Sequence, residues 1–189
     1  MTDDYIKPVH EPVLMHPDDP PIIVSWARAI FNNHALTYHR EVELQFIRQG
    51  QGAYFIQDQN YAFKKNSLIV IRPNELHRLI PHPDLRLEKY TVLFPENVLE
   101  GDSKSAPFSV DFPRHISLPE RDATDIEIIL RSIEAERRYR RSYWMEVVKT
   151  DLKKLLLFIR RNRISGNEDA PKPENQLVKE IVSYIEINF

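Results

Sequence analysis

Between residues 22 and 94 the chain consists of short β-type segments, each ended by a turn. The segments at 42–47, 53–56 and 68–71 are rich in the β-branched and aromatic residues that favour strands. Turn-forming residues separate the segments, at 50–52, 58–60, 65–66 and 72–75. Short strands with a turn about every 8–12 residues predict an antiparallel sandwich or barrel rather than a parallel sheet.

The pattern changes near Pro119, where helical periodicity replaces the alternation typical of strands. Between 122 and 141 the apolar residues fall three and four apart, and the same spacing recurs between 142 and 163. We therefore expect two antiparallel helices packed on the outside of the barrel, which makes the fold class mainly β with C-terminal α.

The second of these helices carries an apolar stripe with the spacing of a coiled-coil seam. The stripe consists of Met145, Val148, Leu152, Leu155, Leu156 and Ile159. Because Leu157 and Phe158 lie on its other side, the helix has to be buried on two faces. One face can pack on the barrel, and we expect the stripe to form the interface of a homodimer. The alternative is a helix held between the first helix and the sheet.

Residues outside the barrel and the helices have the composition of arms and linkers. Five prolines within 1–21 predict an extended N-terminal arm, and the polar, proline-containing stretch after the helices predicts a linker. An amphipathic pattern then begins near Asn175 and runs to Phe189, which predicts the first helix of a further domain. The expected units are arm, barrel, helical pair, linker and partial domain, at 1–21, 22–118, 119–164, 165–174 and 175–189.

Composition excludes several classes of function. The chain has no cysteine, which rules out disulfides, thiol chemistry and sulfur-ligated metals. No apolar run approaches the ~20 residues that span a bilayer, and the acidic N-terminus is not a secretory signal. We therefore expect a cytoplasmic protein without membrane contact. The net charge of −2 gives no electrostatic footprint for nucleic acid over the chain as a whole.

Three residues are the first candidates for a functional site. His39 and Glu43 are four apart in a strand context, where even spacing places both on one face. His77 follows a proline turn at the end of another strand, and such residues can converge on the interior of a small barrel. Two imidazoles and a carboxylate could hold Zn²⁺, Mn²⁺ or Fe²⁺, and without an ion they form a hydrogen-bonded polar cluster.

The stretches around these residues resemble the two cupin motifs, in the form found in the N-terminal sensor domain of AraC-type transcription regulators. The similarity lies in 38–44, 50–54 and 66–78, and 174–189 resembles the opening of that family's helix-turn-helix domain. The resemblance implies a double-stranded β-helix, or jelly-roll, barrel that binds a small-molecule effector. It also implies a pair of dimerisation helices, DNA contacts through a C-terminal domain absent from this chain, and no catalytic activity.

The motifs of this chain depart from those of metal-binding cupins at three positions. Such cupins carry a histidine at the position of Thr37, whereas the two histidines and the glutamate above match the other three ligand positions. We therefore predict a hydrogen-bonded cluster that holds neither a metal nor another cofactor. Two expected glycines are Asn66 and Glu75; asparagine can adopt the left-handed turn, whereas Glu75 implies a different turn geometry.

Four further residues are candidates for effector binding together with His39, Glu43 and His77. They are Gln45, Tyr54, Arg72 and Trp26. The aromatic rings could stack on a ligand or belong to the core, and the guanidinium could anchor an anion or a sugar hydroxyl or lie on the surface.

The sequence therefore favours the effector-binding and dimerisation part of a DNA-binding transcription regulator. Its effector is expected to be a small polar molecule, with a sugar as one candidate. The alternatives are a metal-dependent cupin enzyme, such as an isomerase or dioxygenase, and a stand-alone sugar-binding module.

Overall fold

A computed structural model describes residues 9–10, 21–29, 35–99 and 112–165 of the 189-residue chain. The strands are β1 Val9–His10, β2 Ile23–Ala29, β3 Thr37–Tyr38, β4 Val42–Gln49, β5 Gly52–Ile56, β6 Gln59–Phe63, β7 Ser67–Ile71, β8 His77–Pro81, β9 Leu87–Phe94 and β10 His115–Ser117. A 3₁₀ turn spans Glu96–Leu99, and the two helices are α1 Glu120–Tyr139 and α2 Trp144–Ser165. The predicted arm, linker and partial domain lie almost wholly outside the described residues.

The strands form two five-stranded sheets that face each other. Sheet A has the order β1-β3-β8-β5-β6, and sheet B has the order β10-β7-β4-β9-β2. Among the described strands every pairing is antiparallel except that of β1 with β3. The predicted mainly β fold, a cupin-like barrel followed by two helices, is confirmed.

The strands β4 and β7 of sheet B are buried on both faces over most of their length. Alternate residues such as Leu44, Phe46 and Val92 belong to a core that includes both helices, so this face lies outside the barrel and under α1 and α2. The intervening residues, such as Ile47 and Ile69, pack with side chains of sheet A inside the barrel. Burial on both faces explains why β7 is almost continuously apolar, whereas β4 alternates apolar residues with the buried polar residues Glu43 and Gln45.

The apolar stripe of α2 packs within its own chain. Val148, Leu152, Leu155, Leu156 and Ile159 are 0–1% exposed in the single chain and share one core with α1 and sheet B, while Met145 is half-buried. These five side chains are therefore not available to a second copy, and the prediction that they form a dimer seam is corrected. The reason is physical: an apolar stripe has the same spacing whether it packs on its own sheet or on another chain.

Two turns show how the chain replaces the glycines that the motif positions favour. Asn66 has a φ of 64°, the left-handed conformation expected of it. At the second turn the left-handed residue is Asn74, with a φ of 61°, and the Glu75 carboxylate accepts a hydrogen bond from the backbone N–H of Arg72 at 2.8 Å. Both outcomes agree with the sequence analysis. In the described part of the chain no helix is long and apolar enough to cross a membrane.

Candidate functional site

The two sheets bring His39, Glu43 and His77 together inside the barrel. Glu43 is the second residue of β4, His77 begins β8, and His39 follows β3. One ligand atom from each residue lies within 4.8 Å of the others, and all three side chains are buried. His39 Nε2 is 2.9 Å and His77 Nε2 is 3.2 Å from the same carboxylate oxygen, Glu43 Oε2. The predicted convergence of these three residues is confirmed.

Backbone carbonyls fix the orientation of both imidazole rings. His39 Nδ1 lies 3.1 Å from the Glu41 carbonyl oxygen, and His77 Nδ1 lies 2.8 Å from the Glu75 carbonyl oxygen. Because a carbonyl only accepts, each Nδ1 carries hydrogen and donates. In this orientation both Nε2 atoms face the same oxygen of the Glu43 carboxylate.

Glu43 is ionised in this setting. Burial by itself would raise the pKa of Glu43, but hydrogen bonds from His39 and His77, with the nearby positive charges, hold it well below its usual range. The Gln45 amide donates to the other carboxylate oxygen, Glu43 Oε1. Both oxygens of the carboxylate thus have donors.

The network continues from Gln45 to a buried lysine that the sequence analysis missed. Lys89 Nζ donates to Gln45 Oε1 at 3.1 Å and to Tyr54 Oη at 3.5 Å. Thr91 Oγ1 donates to the same Gln45 oxygen at 3.0 Å. Lys89 and Thr91 flank Tyr90 on β9, and the Tyr90 side chain faces outward. Because successive residues of a strand point to opposite faces, this alternation could have predicted that Lys89 and Thr91 face the barrel interior.

The structure brings Gln45 and Tyr54 to the site, as the sequence analysis proposed for the barrel interior. Gln45 is 2% exposed and joins the carboxylate to the ammonium. Tyr54 serves two purposes: its ring packs on Phe63 with centroids 5.6 Å apart, and its hydroxyl lies at Lys89. Burial and the charge of Glu43 raise the pKa of Tyr54 well above its usual value, so the phenol stays protonated.

The other two candidates lie elsewhere. Trp26 is 45% exposed and is the cross-strand partner of Tyr90, whose ring belongs to the core under the helices. Directly paired residues point to the same face, so Trp26 lies on the outer face of sheet B, and the prediction that it lines the interior is wrong. Arg72 Nη2 donates to the Phe112 carbonyl at 3.3 Å. This hydrogen bond links the turn after β7 to the segment before β10. The role of Arg72 as an anchor for a ligand stays a prediction.

The donor set is chemically suited to a divalent metal, which cupin barrels imply. Two imidazole nitrogens and a carboxylate oxygen are ligands of Zn²⁺, Mn²⁺ and Fe²⁺. The carbonyls behind the histidines and the amide behind Glu43 supply the outer hydrogen bonds that orient such ligands. Thr37 Oγ1 lies 3.3 Å from His77 Nε2, so a hydroxyl stands where a fourth strong ligand would be.

One protein family and several solved structures are similar to this chain. The model of the AraC-like ligand binding domain matches residues 19–142. No curated protein matches the chain. Among solved structures, the plu4264 protein of Photorhabdus luminescens is 21% identical, with 52% of this chain and 88% of that chain covered and a TM-score of 0.38.

Two further solved structures are cupins. A Cupin 2 conserved barrel domain protein from Salinispora arenicola is 17% identical, with 47% of this chain and 76% of that chain covered and a TM-score of 0.39. An RmlC-like cupin from Methanocaldococcus jannaschii is 14% identical, with 41% and 72% covered and a TM-score of 0.38. The family match spans the barrel, the polar network and α1, so the chain belongs to the AraC-like ligand binding domain family.

Proposed function

We propose that this chain is the effector-binding and dimerisation part of a DNA-binding transcription regulator that responds to a small polar molecule. The observation that carries the proposal is the polar network inside the barrel of a ligand binding domain. Buried polar groups are costly unless they are hydrogen-bonded, and a core that only had to be stable would do without them. Six polar side chains in one interior are instead suited to recognising a polar ligand: His39, Glu43, His77, Gln45, Lys89 and Tyr54.

The DNA-binding part of the proposal concerns segments outside the described residues. We propose that 165–174 link the barrel and helices to a DNA-binding domain that begins within 175–189. Effector binding would then shift the population between two placements of these domains. Two chains would pair through the exposed face of α2, where Val147 and Leu157 are 37% and 43% exposed, because the opposite face is already buried.

A reporter experiment tests this function. Residues 1–189 are fused to a DNA-binding domain that binds its operator only as a dimer, and small polar molecules are first screened for raising the melting temperature. A compound that stabilises the protein should change reporter output, because a ligand stabilises the state that it binds. The matched variant Gln45→Leu should lose both effects, whereas Lys64→Gln, exposed in the turn between β6 and β7, should keep them. Stabilisation without any change in reporter output would contradict the regulatory half of the proposal.

The histidine–glutamate cluster favours one alternative, a metal-dependent cupin enzyme. His39, Glu43 and His77 would hold the ion, and a bound metal would supply Lewis-acid chemistry there. Thr37 at the fourth ligand position and the match to a ligand binding domain favour the regulator, and we propose that the site works without a metal. Elemental analysis of the purified protein that finds about one metal per chain, lost in His39→Ala, would support the enzyme instead.

A further inference from the structure

The turn between β7 and β8 contacts the two histidines of the cluster in different ways. The Asn74 backbone N–H donates to the His39 carbonyl oxygen at 2.7 Å, so His39 meets the turn through its main chain. His77 meets the turn through its ring, because Nδ1 lies 2.8 Å from the Glu75 carbonyl oxygen. The His39 ring is held instead by the Glu41 carbonyl, at 3.1 Å. A shift of the His77 ring therefore acts on the turn, whereas a shift of the His39 ring acts on the segment before β4.

The same turn is held from the other side by Arg114. The Glu75 carboxylate accepts two hydrogen bonds from the Arg114 guanidinium, one on each oxygen, and a third from the Arg72 backbone N–H at 2.8 Å. The Arg114 and Glu75 side chains are 19% and 12% exposed, so solvent screens this ion pair less than a pair on the surface. A bidentate arginine–carboxylate pair also fixes the orientation of both groups. Glu75 thus joins the His77 ring, through its carbonyl, to Arg114, through its carboxylate.

From Arg114 a short segment leads to α1 and is fastened to the sheet on the way. The Arg114 carbonyl accepts from the Val70 N–H at 2.9 Å, and β10 then pairs with β7. The Leu118 N–H donates to the Asn66 carbonyl at 2.9 Å. The side chain of Asn66 in turn donates at 2.8 Å to the carboxylate of Glu120, the first residue of α1. The ion pair with Glu75 is therefore made at the start of the segment that docks α1 on the barrel.

We propose that His77 passes the occupation of the barrel interior to α1 through the ion pair between Glu75 and Arg114. This inference rests on the proposed effector-binding function and adds how the signal leaves the barrel. An effector that shifts the His77 ring changes its hydrogen bond to the turn, and so changes how firmly β10 and the start of α1 are docked. Because α1 and α2 share one core with sheet B, the change reaches the helical pair. By linkage, a change in the docking of α1 alters effector affinity by the same factor.

Amide hydrogen exchange of the 1–189 protein without any ligand, followed by NMR, tests this route. The reporters are the N–H groups of Leu118 and of Ala123, which donates to the Pro119 carbonyl at 3.0 Å in the first turn of α1. His77→Ala should speed exchange at both about fivefold relative to the central amides of β4, the effect of one lost hydrogen bond. His39→Ala, which removes an equal ring from the same carboxylate, should leave the two reporters unchanged.

Two further variants identify the contacts that carry the effect. His77→Asn should stay close to the wild type, because the asparagine amide nitrogen takes the position of Nδ1 and can donate to the Glu75 carbonyl. In an Arg114→Gln background, His77→Ala should add at most about twofold, because the two residues act through one network. Should His77→Ala not fold, His77→Gln makes the same comparison, since its amide reaches the position of Nε2 rather than that of Nδ1.

Three results would each overturn the route. They are unchanged exchange in His77→Ala, an equal effect of His39→Ala, and a full fivefold effect of His77→Ala in the Arg114→Gln background. Because no ligand is present, any of them would leave effector binding itself to be decided by the reporter experiment above.

Discussion

Leu152 and Leu157 both lie on α2, but substitutions at the two positions should have very different effects on the free energy of unfolding. Leu152 is 0% exposed in the core between α1, α2 and sheet B, whereas Leu157 is 43% exposed. Truncation of a buried leucine to alanine costs about 2–5 kcal/mol, the lost burial plus the cavity that remains. A surface substitution generally stays within about 0.5 kcal/mol. Leu152→Ala should therefore lower the free energy of unfolding by several times as much as Leu157→Ala.

Urea unfolding followed by circular dichroism measures this difference. With a slope of about 2–3 kcal/mol per molar, the Leu152→Ala midpoint should fall by about 1–2 M. Both variants have to be compared at one protein concentration, because dimerisation would contribute to stability by mass action. The corresponding aspartate variants sharpen the contrast. Leu152→Asp should fail to fold, whereas Leu157→Asp should stay folded and sediment as a monomer. A folded, monomeric Leu152→Asp with the wild-type midpoint would refute the assignment of this stripe to the chain's own core.

Three further predictions concern the barrel. At Gly52 an added Cβ would lie 2.4 Å from the Ile80 carbonyl oxygen, so Gly52→Ala should lower the free energy of unfolding by about 1–3 kcal/mol in a urea titration. The lowered pKa of Glu43 means that its stabilisation is present at neutral pH and is lost as pH falls below the ordinary value of about 4.3. Glu43→Gln should therefore flatten the dependence of stability on pH between about 5 and 3, and an unchanged profile would contradict the coupling. Thr37→His should complete the four-ligand set and raise affinity for Zn²⁺ about tenfold or more in a chelator competition; an unchanged affinity would mean that position 37 does not reach the ion.

Much of the barrel was predictable because its signals are local. The alternation in β4 and β9 and the turn residues between strands define the elements, and the two motifs define which polar side chains meet. The strand β8 was missed, since its five residues end in Pro81, which weakens a strand pattern.

The wrong predictions concern which way a side chain faces and what a helix packs against, and both depend on how strands and helices pair in the folded chain. Trp26 faces outward because β2 pairs with β9 in a register that places it opposite Tyr90, and a one-residue change would have turned it inward. Lys89 was overlooked because a lysine in a strand is usually on the exposed face. The stripe of α2 was assigned to a second chain because its own sheet was an equally suitable apolar partner.

A crystal structure of the 1–189 protein with a stabilising small molecule tests whether the barrel interior binds the effector. We expect the ligand inside the barrel, in hydrogen-bond contact with Gln45 and at least one member of the His39, Glu43 and His77 cluster. A ligand bound only on the outside of the barrel, with the interior network unchanged, would contradict it.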